Sequence, residues 1–289
     1  MSAYRIPEIA KKYVEYDMIR KHTELPAFPD SRARLLYTLL SNGKHPDEKS
    51  ELYALVVWLV QLGLDTHDLV DNQTGKRPER EMRARQILVL AGNYFSSRFY
   101  HLLSQAGQIE MVRRISCAVC EVNRLKMSLY ARMKQRKVTA DEYIGISTEV
   151  KTGLFELFGS MLDERLSALY PDLLRGFTRC EVVLDELKRV DSPGRFEGSW
   201  GYWRVMQEGT EEERRQLAQH PREEGLIRQL IAQYNLRAQL TELLRQSMAQ
   251  VQSVLRMLES DKLAAELAQI AGKLHPSFAL QPAVTNETR

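Results

Sequence analysis

Four side chains around residue 65 have the types and spacing of a cation site. Asp65 and Asp68 lie three apart, as do Asp68 and Asp71. On a helix their carboxylates stack turn over turn near one face, with His67 beside them, four residues before Asp71. Carboxylates crowded at the end of an apolar run repel one another unless a cation lies among them, and hard oxygen donors of this kind suit a divalent metal. A run of cations follows: Lys76, Arg77, Arg80, Arg83 and Arg85. Other reactive groups are sparse. Cys117 and Cys120 share one side of a helix, but no second pair or nearby histidine completes a zinc site, so they read as small buried core thiols. His22, His45, His101, His220 and His275 have no ligand-like spacing, and no Ser-His-Asp set or phosphate-cradling glycine loop is present.

The elements that must carry these groups are helices. Residues 5–20 read as one short amphipathic helix, with Ile6, Ile9, Tyr13 and Tyr16 on one side. Asp30 or Ser31 can cap a second helix, and Asn42-Gly43 stops it. The acidic cluster ends a third, over about 48–71. Asn72 to Gly75 is loop, and Pro78 opens a fourth that runs to Ser104, with Ala106-Gly107 as its stop. A fifth covers 109–134. Thr139 and Glu142 have capping-box spacing at the head of a sixth, 140–161; a seventh covers 163–189 with an irregular point at Tyr170-Pro171. Thr210 and Glu213 repeat the capping-box spacing. One long helix is expected over 222–258, where Leu244, Met248, Val251, Leu255 and Leu258 form a packing seam. A last helix covers 261–273 and a loose tail follows. Trp200 and Trp203 either fix the loop before them to the core or anchor a partner. No strand pattern is evident, so the fold class is all-α, a large helical bundle.

Composition narrows the function classes. An apolar content of 44% supports a real core. A net charge of +3 with 27% charged residues is no nucleic-acid signature, which would show as a clustered basic face. Three cysteines imply no disulfide framework. The opening MSAYRIPEIAKKY has no signal-peptide pattern, so a cytoplasmic location is expected. The longest greasy run, Leu52 to Leu64, falls short of the ~18 apolar residues of a membrane span.

The region from Asp65 to Phe95 resembles the first aspartate-rich motif of the trans-prenyltransferases. In that family the helix ends Asp-Asp-x-x-Asp, a basic Gly-Pro loop follows, and the next helix opens Leu-Ala-Gly-Asp. Here the loop is Gly75-Lys76-Arg77-Pro78 and the next helix carries Leu90-Ala91-Gly92-Asn93-Tyr94-Phe95. His67 replaces the first aspartate and Asn93 the later one. The altered pattern Leu-Asp-Thr-His-Asp at 64–68 resembles one branch, the small subunits (component I) of two-component heptaprenyl diphosphate synthases of Gram-positive bacteria. Residues 177–185 resemble the second motif, Phe-Gln-x-x-Asp-Asp-x-x-Asp, but only Glu181 and Asp185 remain acidic and Val182 replaces a ligand. Those residues read equally well as an amphipathic helix with Val183, Leu184 and Leu187 inward.

The resemblance implies an isoprenoid-synthase-like helical bundle over 1–289: N-terminal helices (1–46), a prenyltransferase-like core (47–190), C-terminal helices (200–273) and the tail (274–289). It implies diphosphate contacts for Lys76, Arg77 and Lys151, chain-length positions at Leu62 and Gly63, and a partner interface at Leu90, Tyr94, Phe95 and Phe99. Imidazole is a poor Mg²⁺ ligand and valine is none, so both metal clusters are degenerate. The expectation is a subunit inactive by itself, with no tightly held cofactor and with Mg²⁺ in a catalytic large subunit (component II). The pair would use farnesyl and isopentenyl diphosphate to make a long all-trans prenyl diphosphate, heptaprenyl, for the menaquinone side chain. Whether the chain forms a homodimer without its partner is left open by the sequence. Two alternatives stand beside this: a self-sufficient prenyltransferase or terpene cyclase with a relaxed motif, and a helical interaction module unrelated to prenyl chemistry.

Overall fold

The computed structural model describes residues 4–42, 48–70, 75 and 77–274. Asp71, Lys76 and the tail from His275 lie outside them. The described residues are helical throughout, with no strand, and the chain divides into two compact units. The first comprises Met1–Val119 and Leu154–Ala168, the second Cys120–Gly153 and Leu169–Arg289.

The first unit is built on α4 (Ser50–Asp68). Every residue from Tyr53 to Leu64 is buried and all but Gln61, Gly63 and the Tyr53 hydroxyl are apolar, so this stretch sits inside the unit rather than on its surface. It packs chiefly on α5 (Glu79–Gln105), and also on α3 (Asp30–Asn42) and α1 (Ile6–Val14). Phe28 stacks on Trp58 at 4.8 Å. The first helix expected from sequence is in fact two, α1 and α2 (Asp17–His22). Tyr16 between them is extended, not helical. There its hydroxyl accepts from that of Tyr94 at 3.0 Å and the two rings meet edge-on at 5.2 Å, a contact with α5 that an unbroken helix does not supply. Gly107 closes α5 with a φ of +67°, a left-handed turn that glycine adopts without strain.

The long helices α6 (Ile109–Lys134), α7 (Ala140–Glu156) and α8 (Glu164–Val190) follow. The sixth expected helix ends early, with a short 3₁₀ turn at Gly159–Met161. The seventh runs unbroken through Pro171. The Thr139–Glu142 capping box forms as expected: Thr139 N–H donates to the Glu142 carboxylate at 2.9 Å and Glu142 N–H to the Thr139 hydroxyl at 3.2 Å.

In the second unit a buried carboxylate ties the loop after α8 to the helices. Glu186, 3% exposed, accepts from the Trp200 backbone N–H at 2.7 Å and from the Tyr143 hydroxyl at 3.0 Å. Arg189 pairs with it at 3.1 Å and donates onward to the carbonyls of Arg195 and Glu197. Burial and the Glu186 charge push the Tyr143 phenol above the usual tyrosine range, so it stays a donor. Trp200 and Trp203 are both buried, which settles their role as fixing this segment to the core. Then come α9 (Trp200–Glu208), α10 (Glu211–Gln219), α11 (Glu224–Gln233), α12 (Leu236–Leu255) and α13 (Asp261–Leu274). The single helix expected over 222–258 is broken at Asn235, whose φ of +48° is a left-handed conformation that asparagine tolerates better than most residues. The seam from Leu244 to Leu258 is buried throughout. Glu213 clasps α10 to the end of α11. It accepts from Thr210 N–H at 2.8 Å, Gln233 at 2.6 Å and the Tyr234 hydroxyl at 2.7 Å.

Removing Glu186 leaves Arg189, Tyr143 and the Trp200 N–H without their shared acceptor. Glu186→Ala is expected to cost on the order of 3 kcal/mol in denaturant unfolding. Glu213 behaves differently. The Tyr234 hydrogen bond above all holds its carboxyl down to about 2 from the ordinary 4.5. A depressed carboxyl stabilises the fold above its unfolded value and loses that contribution as the pH falls toward the folded one. The stability advantage of the unaltered chain over Glu213→Gln should therefore be present at neutral pH and shrink between about 4.5 and about 2.

Candidate functional site

The end of α4 carries the first motif, and its side chains divide between two directions. Positions 63 and 67 are one turn apart and face α5, where positions 92 and 96 are likewise one turn apart. A methyl on Gly92 would lie 2.7–2.8 Å from three atoms of the His67 ring. A methyl on Gly63 would lie 2.9 Å from Ser96 N and 3.0 Å from Gly92 O. Ser96 folds its hydroxyl back onto Gly92 O at 2.7 Å, which keeps the seam narrow. His67 thus seats its imidazole on the backbone of α5. Asp65 accepts from buried Gln61 at 2.8 Å, Asp68 is exposed, and Thr66 turns inward to Leu62 O at 2.6 Å.

Without Asp71, which lies outside the described residues, the described side chains of this motif do not converge as a Mg²⁺ cluster. The metal needs several oxygens converging at octahedral geometry. One candidate donor is a nitrogen lying on a helix backbone, and another is engaged by an amide. Among the described residues no group of three or more His, Cys, Asp or Glu side chains could hold a metal.

Leu62 is 0% exposed, and a Cβ on Gly63 would crowd Ser96 and Gly92. Both belong to the core of the first unit.

The second motif lies on α8. Cys180, Val182 and Val183 are buried, and burial pushes the Cys180 thiol up to about 12. Leu184 is only half-buried, as is Leu187. Asp185 accepts from Lys188 at 3.1 Å and pairs with Lys151 at 3.8 Å. The lysine expected to reach a diphosphate therefore meets a carboxylate of its own unit. Both side chains are partly exposed, and such a pair contributes little to stability.

The residues expected at a partner interface differ in exposure. Phe95 and Phe99 are 0% and 4% exposed and belong to the core, and Tyr94 engages Tyr16 and accepts from Arg98 at 2.8 Å. Of the expected set only Leu90 stands out, at 61% exposed. Elsewhere α5 exposes Met82, Val89 and Tyr100, and α6 exposes Ile109, Met127 and Tyr130. Cys117 and Cys120, expected in the core, are exposed on α6 as well. The signal for these positions was the breadth of the apolar set on α5, which exceeds one stripe. Arg77, with Gly75, Met82, Arg85, Gln86, Val89 and Leu90, lines a groove of about 550 Å³ on α5.

The seam at Gly92 is testable by size. Gly92→Ala should cost about 2 kcal/mol by overpacking against His67. In a double-mutant cycle His67→Ala should relieve about 1 kcal/mol or more of that cost. Additive effects would show that the ring and the glycine are not in contact.

The fold and the motif both have relatives. A solved geranylgeranyl pyrophosphate synthetase from Pyrococcus horikoshii aligns over 93% of this chain and 94% of that one, with a TM-score of 0.67 at 15% identity. A solved heptaprenyl diphosphate synthase from Staphylococcus aureus aligns over 93% and 95%, with a TM-score of 0.67 at 13% identity. These show a shared all-α isoprenyl diphosphate synthase fold. In sequence, 98 residues are 33% identical to heptaprenyl diphosphate synthase component 1 of Geobacillus stearothermophilus. That stretch spans 34% of this chain and 42% of the relative. The family model for heptaprenyl diphosphate synthase subunit 1 matches residues 16–188, more than half of the chain and all of α4 to α7. With the altered aspartate motif seated on α5 inside that region, the chain belongs to the heptaprenyl diphosphate synthase subunit 1 family.

Proposed function

We propose that this chain is the non-catalytic small subunit of a heterodimeric long-chain all-trans polyprenyl diphosphate synthase. The observation that carries this reading is the pairing of a disabled donor set with exposed apolar helix faces. His67 lies on Gly92, Asp185 is held by Lys151 and Lys188, and α5 and α6 leave Leu90, Tyr100 and Ile109 in solvent. The family membership and the name component 1 of its relative support a partner subunit.

In this reading the catalytic subunit holds Mg²⁺ and carries the chemistry. Diphosphate departs from the allylic substrate with the electrons of the C–O bond, and the double bond of isopentenyl diphosphate attacks the allylic carbon. Loss of a proton restores a double bond. Farnesyl diphosphate is the starter, heptaprenyl diphosphate the product, and the menaquinone side chain its use, in the cytoplasm. This chain completes the assembly and helps to set product length. None of its described helices is long and apolar enough to cross a membrane.

The test is product formation from farnesyl and isopentenyl diphosphate with Mg²⁺. The chain alone should be silent, the catalytic subunit alone poor in long product, and the mixture productive. Tyr100→Asp and Ile109→Asp, both at exposed positions, should fold normally and weaken assembly at least about tenfold. Product from this chain alone, lost in Asp68→Ala, would instead establish a self-sufficient enzyme. No complex and no change on mixing would leave an interaction module outside prenyl chemistry.

A further inference from the structure

Where the N-terminal helices meet α5, a guanidinium is held without a carboxylate. Arg98 is half-buried, and the rings of Tyr94 and Tyr13 lie 4.5 Å and 5.6 Å from it. Its hydrogen-bond partner is a neutral phenol, Tyr94, at 2.8 Å. That bond engages one Nη, and Nε is buried with no acceptor. A half-buried cation with an orphaned donor is costly unless an anion completes it. Lys12 lies 4.9 Å from the same Tyr13 ring. Among the described residues neither Lys12 nor Arg98 enters an ion pair, and Glu8, Glu15 and Asp17 of the same N-terminal segment are all exposed. Tyr16 supplies a further donor. Its hydroxyl accepts from Tyr94 at 3.0 Å, so its own proton is left for another acceptor, and the residue is 45% exposed. Two consecutive hydrogen bonds put this hydroxyl within about 6 Å of the Arg98 edge. The chain leaves helical geometry at Tyr16 to place it there.

We propose that Arg98, Lys12 and Tyr16 form a binding site for a phosphate-bearing anion, which ties the N-terminal helices to α5. The inference does not depend on the two-subunit reading, and none of these residues belongs to either aspartate motif. Aromatic rings against a guanidinium fix its plane and leave its edge, whose forked N–H groups match the oxygens of a phosphate. The guanidinium alone would satisfy a single carboxylate. A second cation and a hydroxyl donor favour a dianion that presents more acceptor oxygens. Inorganic phosphate and inorganic diphosphate both present such a group. Because Lys12 and Tyr16 come from the N-terminal segment and Arg98 from α5, the site exists only in the folded chain, and its ligand stabilises that state.

The test is the melting temperature of the full chain in inorganic phosphate or inorganic diphosphate, measured against chloride of equal ionic strength. At about 10 mM the phosphate anions should raise it by at least about 2 °C. R98Q should abolish the rise. Y16F keeps the ring against Tyr94 but removes the free hydroxyl, and it should at least halve the rise, as should K12Q. R124Q, at an exposed arginine paired with Glu121 on α6, should leave the rise intact. Each rise is measured within one variant, so a lower starting stability does not enter, and Y16F carries the test if R98Q fails to fold. Equal rises with the two anions assign the site to the phosphoryl group alone, and a larger rise with diphosphate assigns it to the longer anion. No rise in the unaltered chain overturns the inference and leaves a purely structural clasp. A rise that persists in both R98Q and Y16F overturns it by placing the anion elsewhere.

Discussion

The close crossing of α4 and α5 is the constraint on which the first unit depends. Two glycines, Gly63 and Gly92, bring the helices together closely enough that neither position tolerates a Cβ without movement. That proximity sets the orientation of everything attached to α5. Its inner face, through Ala91, Phe95, Phe99 and Leu103, is committed to the core, and its outer face is left to Met82, Val89, Leu90 and Tyr100. The same crossing holds the imidazole of His67 on α5. A helix end with the spacing of a metal site carries a packing contact there, with the half-buried ring against glycine rather than a side chain.

The second unit is organised by a polar element. Glu186 lies next in sequence to Asp185, yet the two carboxylates have different surroundings. Asp185 is partly exposed and faces Lys151 and Lys188. Glu186 is buried and satisfied by a backbone N–H, a phenol and a guanidinium. A buried carboxylate without such partners would be strongly destabilising, so the loop from Asp191 to Ser199 is held by the requirement to satisfy it. The degenerate second motif therefore sits on a helix whose inward acid is structural and whose outward acid is neutralised by lysines.

Acidic and motif positions in the two units are thus engaged locally, by packing at His67 in the first and by internal ion pairs at Asp185 in the second. On the outer surface, large apolar side chains in solvent are the feature on which the proposed partner contact rests.

The sequence by itself determined the helical class, the order of the long helices, both capping boxes and the C-terminal seam, because these depend on local periodicity and cap chemistry. It also placed the altered motif within a family, since Leu-Asp-Thr-His-Asp and Leu-Ala-Gly-Asn are short contiguous patterns. Only the tertiary structure decided where individual side chains go. Periodicity sets Phe95 and Phe99 on one stripe with Ala91 and Leu103 and leaves Leu90 and Tyr100 off it, but only packing shows which face of the helix a neighbour covers. Cys117 and Cys120 have the composition of core thiols and lie on the surface, because burial is a property of the face a neighbour covers. The breaks at Tyr16 and Asn235 were hidden for a related reason. Each interrupts a sound helical pattern at a contact between distant residues, Tyr16 with Tyr94 and Tyr234 with Glu213, and such contacts exist only once the helices have packed.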